Sequence, residues 1–316
     1  MPNIKQALII SGGGALGAWG VGVARALVES KGRHYSTVIG TSTGALMGPL
    51  ILANQFDQLV TAYTSVRQSD IFNVNPFNDK GDIKRLAAAW RVIRGKKTLG
   101  ESENLKALIK EFFTVELFNE LRNSSKTFGA TTVSLTTALS EVKVLKDNSY
   151  NDIVDWIWAS ANNPVFMSTL SKDNQLWTDG GLKDYAPINY VLQENLADEI
   201  DVILHTTTQL TNRNFSKINN VFDIVLRTID IFLSDVTQND IENAKLQVQL
   251  DHTVKINFFY MNPNQKELIG NSLIFNKDKM NQILNEGYES VVNDTIIMSP
   301  CKVSVDGLIQ PANVTP

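Results

Sequence analysis

Cysteine is nearly absent from this chain, whose 316 residues hold a single one, Cys301. A lone cysteine closes no internal disulfide, and no histidine or basic cluster stands near it to activate the thiol. The expectation is a bystander thiol in a reducing, cytoplasmic setting. Histidine is scarce as well, with His34, His205 and His252 the full set. No combination of His, Cys and carboxylates has metal-site spacing, so neither a metal nor another cofactor is expected. Excess positive charge is also lacking. A net charge of −4 gives no global basic field, which argues against a nucleic-acid partner, because phosphate neutralisation dominates such binding. Long uncharged stretches are missing with one exception, Ala7 to Val28, in which Arg25 is the sole charge. Its glycines, led by the triplet Gly12-Gly13-Gly14, point to a turn, so no signal peptide or transmembrane helix is expected. Peripheral membrane attachment and secretion as an effector stay open.

What is present is enough apolar residue, 43%, to fill a substantial core. Periodicity predicts a strand at Gln6 to Ile10, a helix at Ala15 to Glu29 and a strand at Ser36 to Ile39, a β-α-β unit at the front of the chain. Helices are predicted at Ala45–Val66, Ile83–Ile93, Asn104–Phe113, Val115–Arg122, Tyr150–Ala161 and Val221–Leu246. Strands are predicted at Thr127–Leu135, Glu141–Leu145, Leu176–Thr178, Asp201–His205 and Val254–Tyr260. The alternation implies an α/β architecture with a mostly parallel sheet. No repeat or linker divides the chain, so residues 1–316 are expected to form one domain, with recognisable motifs over about residues 6–200.

Gly40-Thr41-Ser42-Thr43-Gly44 fits the G-x-S-x-G nucleophile elbow, with an apolar strand before it and a helical run after it. Flanking Gly40 and Gly44 permit the sharp turn, and the helix N-terminus favours negative charge developing at Ser42. Gly12-Gly13-Gly14-Ala15-Leu16-Gly17 offers a run of backbone N–H groups at the end of the first strand. It also satisfies G-x-G-x-x-G, but a dinucleotide site requires an acid at the end of the second strand, and Gly40-Thr41-Ser42 stands there. The two strand ends instead set Gly12, Gly13 and Gly14 facing Ser42. Those N–H groups with that of Thr43 suit an oxyanion, each donor contributing roughly 3 kcal/mol in known hydrolases.

A base for Ser42 has three candidates. His205 ends a strand and would complete a Ser-Asp-His esterase, and His252 begins a late strand. An α/β-hydrolase topology fits poorly, because a single strand precedes the elbow strand. Asp179, in Trp177-Thr178-Asp179-Gly180-Gly181, is the better candidate, since a buried aspartate with a raised pKa can accept the serine proton directly. The plainer reading of that aspartate is a cap on its own glycine turn.

SGGGALGAWGVGVARAL (Ser11–Leu27), GTSTGAL (Gly40–Leu46), WASANNPVF (Trp158–Phe166) and DGGLKDYAPI (Asp179–Ile188), in this order, resemble the patatin-like phospholipase family. The resemblance covers most of residues 6–200. It implies a three-layer α/β/α sandwich, a Ser42–Asp179 dyad without histidine, an oxyanion hole at Gly12 to Gly14, and a lipid acyl ester as substrate. Phospholipase A or lysophospholipase activity is the expectation, and a catalytically silent lipid-binding module on the same fold is the rival from another class. Plant members carry a basic residue in the slot of Leu16, so here the oxyanion is left to backbone donors.

The expected partner is a lipid or membrane surface, with any activating protein left unspecified. Ile83, Leu86, Ala87, Trp90 and Ile93 recur at helical spacing among Lys84, Arg85, Arg91, Arg94, Lys96 and Lys97. Packing of that stripe on the protein's own core is the default expectation, and an interfacial helix is the alternative. For Val221, Val225, Ile229, Phe232, Leu233 and Val236, core packing is again the default, with a wall of an acyl pocket as the other reading.

Overall fold

Strand alternation sorts the apolar residues into two clusters. In β1 (Gln6–Ile10), Leu8 and Ile10 join one and Ala7 and Ile9 the other. β2 (Tyr35–Thr41) divides Val38 from Ile39, and β7 (Glu199–Leu204) divides Ile203 from Val202 and Leu204. Side chains alternate across a strand, so two clusters mean two covered faces, and three layers follow. The computed structural model describes residues 4–208, 218, 221–250 and 254–301.

Among the described residues the strands form one nine-stranded sheet. Its centre is parallel: β3 (Thr127–Ser134), β2, β1, β7 and β8 (Lys255–Tyr260) lie side by side in that order. β4 (Ser140–Val144), β5 (Leu170–Lys172), β6 (Gln175–Asp179) and β9 (Ile297–Cys301) pair antiparallel at the margins. The mostly parallel α/β/α sandwich expected from the motifs is therefore the observed architecture. The stretch beyond residue 200, which carried no motif, adds strands to the same sheet.

Ala7 to Val28 folds as β1, the glycine turn and α1 (Gly17–Glu29). A Cβ at Gly22 would sit 2.0 Å from the Leu284 carbonyl oxygen, so the glycine lets α1 lie directly on α12 (Lys277–Val292). Among the described residues no helix is long and apolar enough to cross a membrane.

The helix expected over Ala45–Val66 is instead two: α2 (Thr43–Leu52) and α3 (Phe56–Ser65). Asn54, at φ 57°, is the break, and asparagine tolerates the left-handed region better than most residues. α4 (Gln68–Ile71) follows. α5 (Arg85–Ile93) meets the default expectation for its stripe only at Ile83, which precedes the helix and is buried in the core; within the helix Ala88 is the one buried residue, and Leu86, Ala87, Trp90 and Ile93 face solvent. α6 (Glu103–Phe112), α7 (Val115–Asn123) and α8 (Tyr150–Ser160) match expectation closely. α9 (Ile188–Gln193), α10 (Val221–Leu250) and α11 (Pro263–Ile269) complete the helices. α10 is split by depth. Ile241, Ala244 and Val248 are buried on the sheet, whereas Val221 and Phe232 in its first half are exposed.

Candidate active site

Strand register brings the expected nucleophile and acid together. β2 pairs with β3 up to Thr41 opposite Thr131, and β6 pairs with β3 from Asp179 opposite Thr132. β4 occupies the other edge of β3 at both positions, opposite Val142 and Glu141. β2 and β6 therefore run toward each other along one edge of β3 and end on consecutive rungs. Ser42 follows Thr41 directly, so residues far apart in the chain meet because β3 is a common ruler for both strands.

The elbow needs both of its glycines. A Cβ at Gly40 would lie 2.2 Å from the Gly44 carbonyl carbon, and one at Gly44 would lie 2.2 Å from the Ile10 carbonyl oxygen. Ser42 sits between them at φ 57°, ψ −120°, a conformation that side-chain-bearing residues rarely adopt. The Ser42 N–H donates to Ser160 Oγ on α8 at 2.9 Å. Across from it, a Cβ on Gly12 would lie 3.4 Å from Ser42 Cβ, which places the glycine loop against Ser42. Among the described residues the N–H groups of Gly12, Gly13 and Thr43 donate to no protein acceptor. Free donors beside a serine hydroxyl are what a developing oxyanion requires.

Asp179 is buried, and its Oδ1 accepts the Gly181 N–H at 2.8 Å, with the Ser42 hydroxyl near enough to favour its ionised form. Burial pushes its pKa from 3.8 up to about 6, against the opposing pull of these two donors. The end of α8 braces both halves of the pair. Besides Ser160, the Asn162 carbonyl accepts the Asp179 N–H at 3.1 Å and the Thr178 hydroxyl at 2.8 Å. These two roles lay unread within WASANNPVF. Asp240 on α10 was missed altogether, as nothing in its local sequence marks it. Its Oδ2 accepts the N–H groups of Tyr185 (2.9 Å) and Ala186 (3.0 Å), tying α10 to the loop that follows Asp179. Burial, with Asp184 nearby, raises its pKa to about 8.

His205 faces the site differently from a base. Its Nδ1 lies 3.0 Å from the Ser11 carbonyl oxygen and 3.2 Å from that of Gly12, which assigns the proton to Nδ1, since carbonyls accept only. Nε2 is buried, has no hydrogen-bond partner among the described residues, and faces Gly20, where a Cβ would come within 2.2 Å. Burial drops the pKa to about 4, so the ring is neutral at ordinary pH. In a trans peptide the N–H points opposite to the carbonyl, so holding the Ser11 and Gly12 carbonyls aims the Gly12 and Gly13 N–H groups the other way. On this reading His205→Ala lowers kcat by about ten- to a hundredfold with little change in KM, since loop donors lose their aim. His205→Asn, whose amide can replace Nδ1–H, should recover part of that loss, and the acid limb of the pH profile should not move. A folded alanine variant as inactive as one lacking Ser42 would make His205 the base instead. His252 lies outside the described residues, as does the side chain of Cys301.

Ser42 and Asp179 open into a cavity of about 1630 Å³, larger than the roughly 300–1,000 Å³ usual for small-molecule pockets. Part of its lining is apolar, with Leu46, Leu50, Leu59, Ile109, Phe112 and Phe166 among the contributors. Ile229 and Leu233 of α10 also line it, so this helix supplies a cavity wall with part of the stripe expected to pack in the core. Lys84 and Arg85 line another part of the rim. Among the described residues no group of three or more His, Cys, Asp or Glu is placed to hold a metal ion.

The family described as patatin-like phospholipase matches residues 8–192. No curated protein matches the chain. Among solved structures, that of VipD from Legionella pneumophila aligns over 95% of this chain and 68% of its own, at 12% identity and a TM-score of 0.48.

Proposed function

The chain belongs to the patatin-like phospholipase family, and from that premise we propose that it cleaves carboxylic esters of lipids, with Ser42 as nucleophile and Asp179 as its base. The observation that carries the reading is the meeting of β2 and β6 on consecutive rungs of β3, which brings the end of β2, just before Ser42, beside the buried Asp179. The free N–H groups of Gly12, Gly13 and Thr43 support the assignment of an oxyanion hole, and the apolar lining of the cavity suits an acyl chain.

In this scheme Ser42 Oγ attacks the ester carbonyl carbon as its proton passes to Asp179. The carbonyl π electrons move onto oxygen, where the loop donors hold the charge. Collapse breaks the bond to the alcohol oxygen, which takes the proton from Asp179 and leaves acyl-Ser42. Water, deprotonated by Asp179, then releases the fatty acid and restores the serine. A carboxylate with a pKa near 6 is ionised at neutral pH, yet binds a proton more readily than an exposed aspartate.

Incubating the pure protein with a mixed phospholipid extract and following the products by mass spectrometry tests the reading. Free fatty acid and lysophospholipid are expected, at levels above those given by Ser42→Ala. Equal release by both proteins would remove Ser42 from the chemistry, and no release by either would leave a lipid-binding module.

A further inference from the structure

α5 presents the face that a core-packed helix would hide. Leu86, Trp90 and Ile93 follow one another at spacings of four and three, a single stripe on the side opposite Ala88, and they are 90%, 54% and 74% exposed. Positive charge surrounds the stripe. Lys84, Arg85, Arg94, Lys96 and Lys97 are exposed, and no acidic residue occurs between Lys84 and Glu101. The basic cluster continues past the helix because Gly95 turns the chain, and the Lys96 N–H returns to the Arg91 carbonyl. Arg91 stands apart, since its guanidinium is paired with Glu101 and donates to the Thr98 carbonyl. The Arg94 guanidinium lies 4.6 Å over the Trp90 ring, joining charge and apolar surface in one patch. All this sits on a chain of net negative charge, so the patch is a local device and not a spill-over of a basic surface.

We propose that this face of α5 is a docking surface for an anionic lipid bilayer, with Trp90 and Ile93 entering the headgroup layer and Arg94, Lys96 and Lys97 pairing with acidic lipids. Charge complementarity selects the partner. Tryptophan ringed by Lys and Arg fits the boundary between headgroups and acyl chains, and each basic residue near such a surface strengthens attachment about fivefold. The place of the patch suits the purpose. The first turn of α5, from Arg85 to Ala87, lines the cavity that holds Ser42, so a bilayer touching Trp90 lies at the mouth through which an acyl chain enters. Delivery of lipid to Ser42 rests on the hydrolase reading, whereas the docking itself does not.

Vesicle flotation in the Ser42→Ala background keeps the lipid intact and reads docking alone. The full chain should float with phosphatidylcholine vesicles that contain phosphatidylserine, bind weakly to phosphatidylcholine alone, and detach in high salt. Arg94→Glu with Lys96→Glu and Lys97→Glu should weaken attachment to anionic vesicles by about 100-fold or more. Trp90→Ser with Ile93→Ser should weaken it by at least about tenfold and leave the salt sensitivity in place. With Ser42 restored, both sets should hydrolyse a soluble p-nitrophenyl ester as the unmodified chain does, because none of these five residues lines the cavity. Equal flotation of folded variants and parent overturns the proposal, as does flotation indifferent to phosphatidylserine. A parent that ignores every vesicle but elutes as a dimer, with the Trp90→Ser/Ile93→Ser variant monomeric, would assign the face to a second copy. If the soluble ester is not cleaved while flotation follows the expected pattern, the hydrolase reading fails and the docking stands.

Discussion

Ser42→Ala is expected to reduce ester hydrolysis by about 10⁴-fold or more while the protein stays folded, because in the proposed scheme Ser42 Oγ carries the acyl group. A fluorophosphonate probe should label the unmodified chain at Ser42 and leave the alanine variant unlabelled, since the same elbow and loop donors that favour acylation favour phosphonylation. Backbone geometry adds a second readout. At φ 57° and ψ −120° a residue with a Cβ is strained by about 1–3 kcal/mol, and alanine keeps that strain where glycine removes it. Ser42→Gly should therefore be as inactive as Ser42→Ala yet melt at a higher temperature. Labelling of the alanine variant at another serine would refute the assignment. A glycine variant less stable than the alanine variant would show that the elbow stores no strain.

The fold was legible where local pattern carries it. β1, α1, β2 and the elbow are consecutive, so apolar periodicity and glycine placement suffice, and the layering follows from alternation within each strand. Helix ends that depend on one residue escaped. Periodicity runs on through residues 53–55, and the left-handed Asn54 that divides α2 from α3 gives little warning. Meetings at a distance were not visible in the residues alone. Nothing near Asp179 says that β6 stops one rung from β2, because that is a property of β3 shared by both strands. The roles of Ser160 and Asn162 depend on the same juxtaposition, and Asp240 reaches the site across a long separation in the chain. For α5, amphipathic spacing is the same whether the apolar face meets a core or a membrane. The pattern gives the stripe and its spacing, but not its partner, and the default reading of a buried face holds at Ile83 but fails within α5, where only Ala88 turns inward.

Asp179→Asn carries the largest contrast, since it should be inactive and more stable at once. Asparagine can still accept the Gly181 N–H through its carbonyl oxygen, and its amide can donate to the Ser42 hydroxyl, so the turn retains its partners. It takes no proton, and turnover should fall by about 10³-fold or more. The stability change follows from the direction in which burial moves the pKa. The folded pKa of about 6 lies above the ordinary 3.8, so the native state holds this proton more tightly than the unfolded chain. The associated stability is present in full below pH 3.8 and is lost as pH rises through about 6, where the buried carboxylate ionises. Holding a proton that much more tightly is worth about 3 kcal/mol. Asp179→Asn is free of that cost, so its stability relative to the unmodified chain should rise by up to about 3 kcal/mol between about pH 4 and pH 8. Asp184 and Asp240 also titrate in an elevated range, at about 6 and about 8, but they are common to both proteins and cancel in the difference. In the unmodified chain, kcat/KM should fall tenfold for each step of one in pH below about 6, and Asp184→Asn should keep that limb. Urea melts of both proteins across this range, beside the pH profile of p-nitrophenyl ester hydrolysis, read both halves. A folded Asp179→Asn with near-normal turnover, or an acid limb that persists in its residual activity, would take the proton acceptor away from Asp179. An inactive variant whose stability relative to the unmodified chain does not change with pH would keep the base but deny that burial raises its pKa.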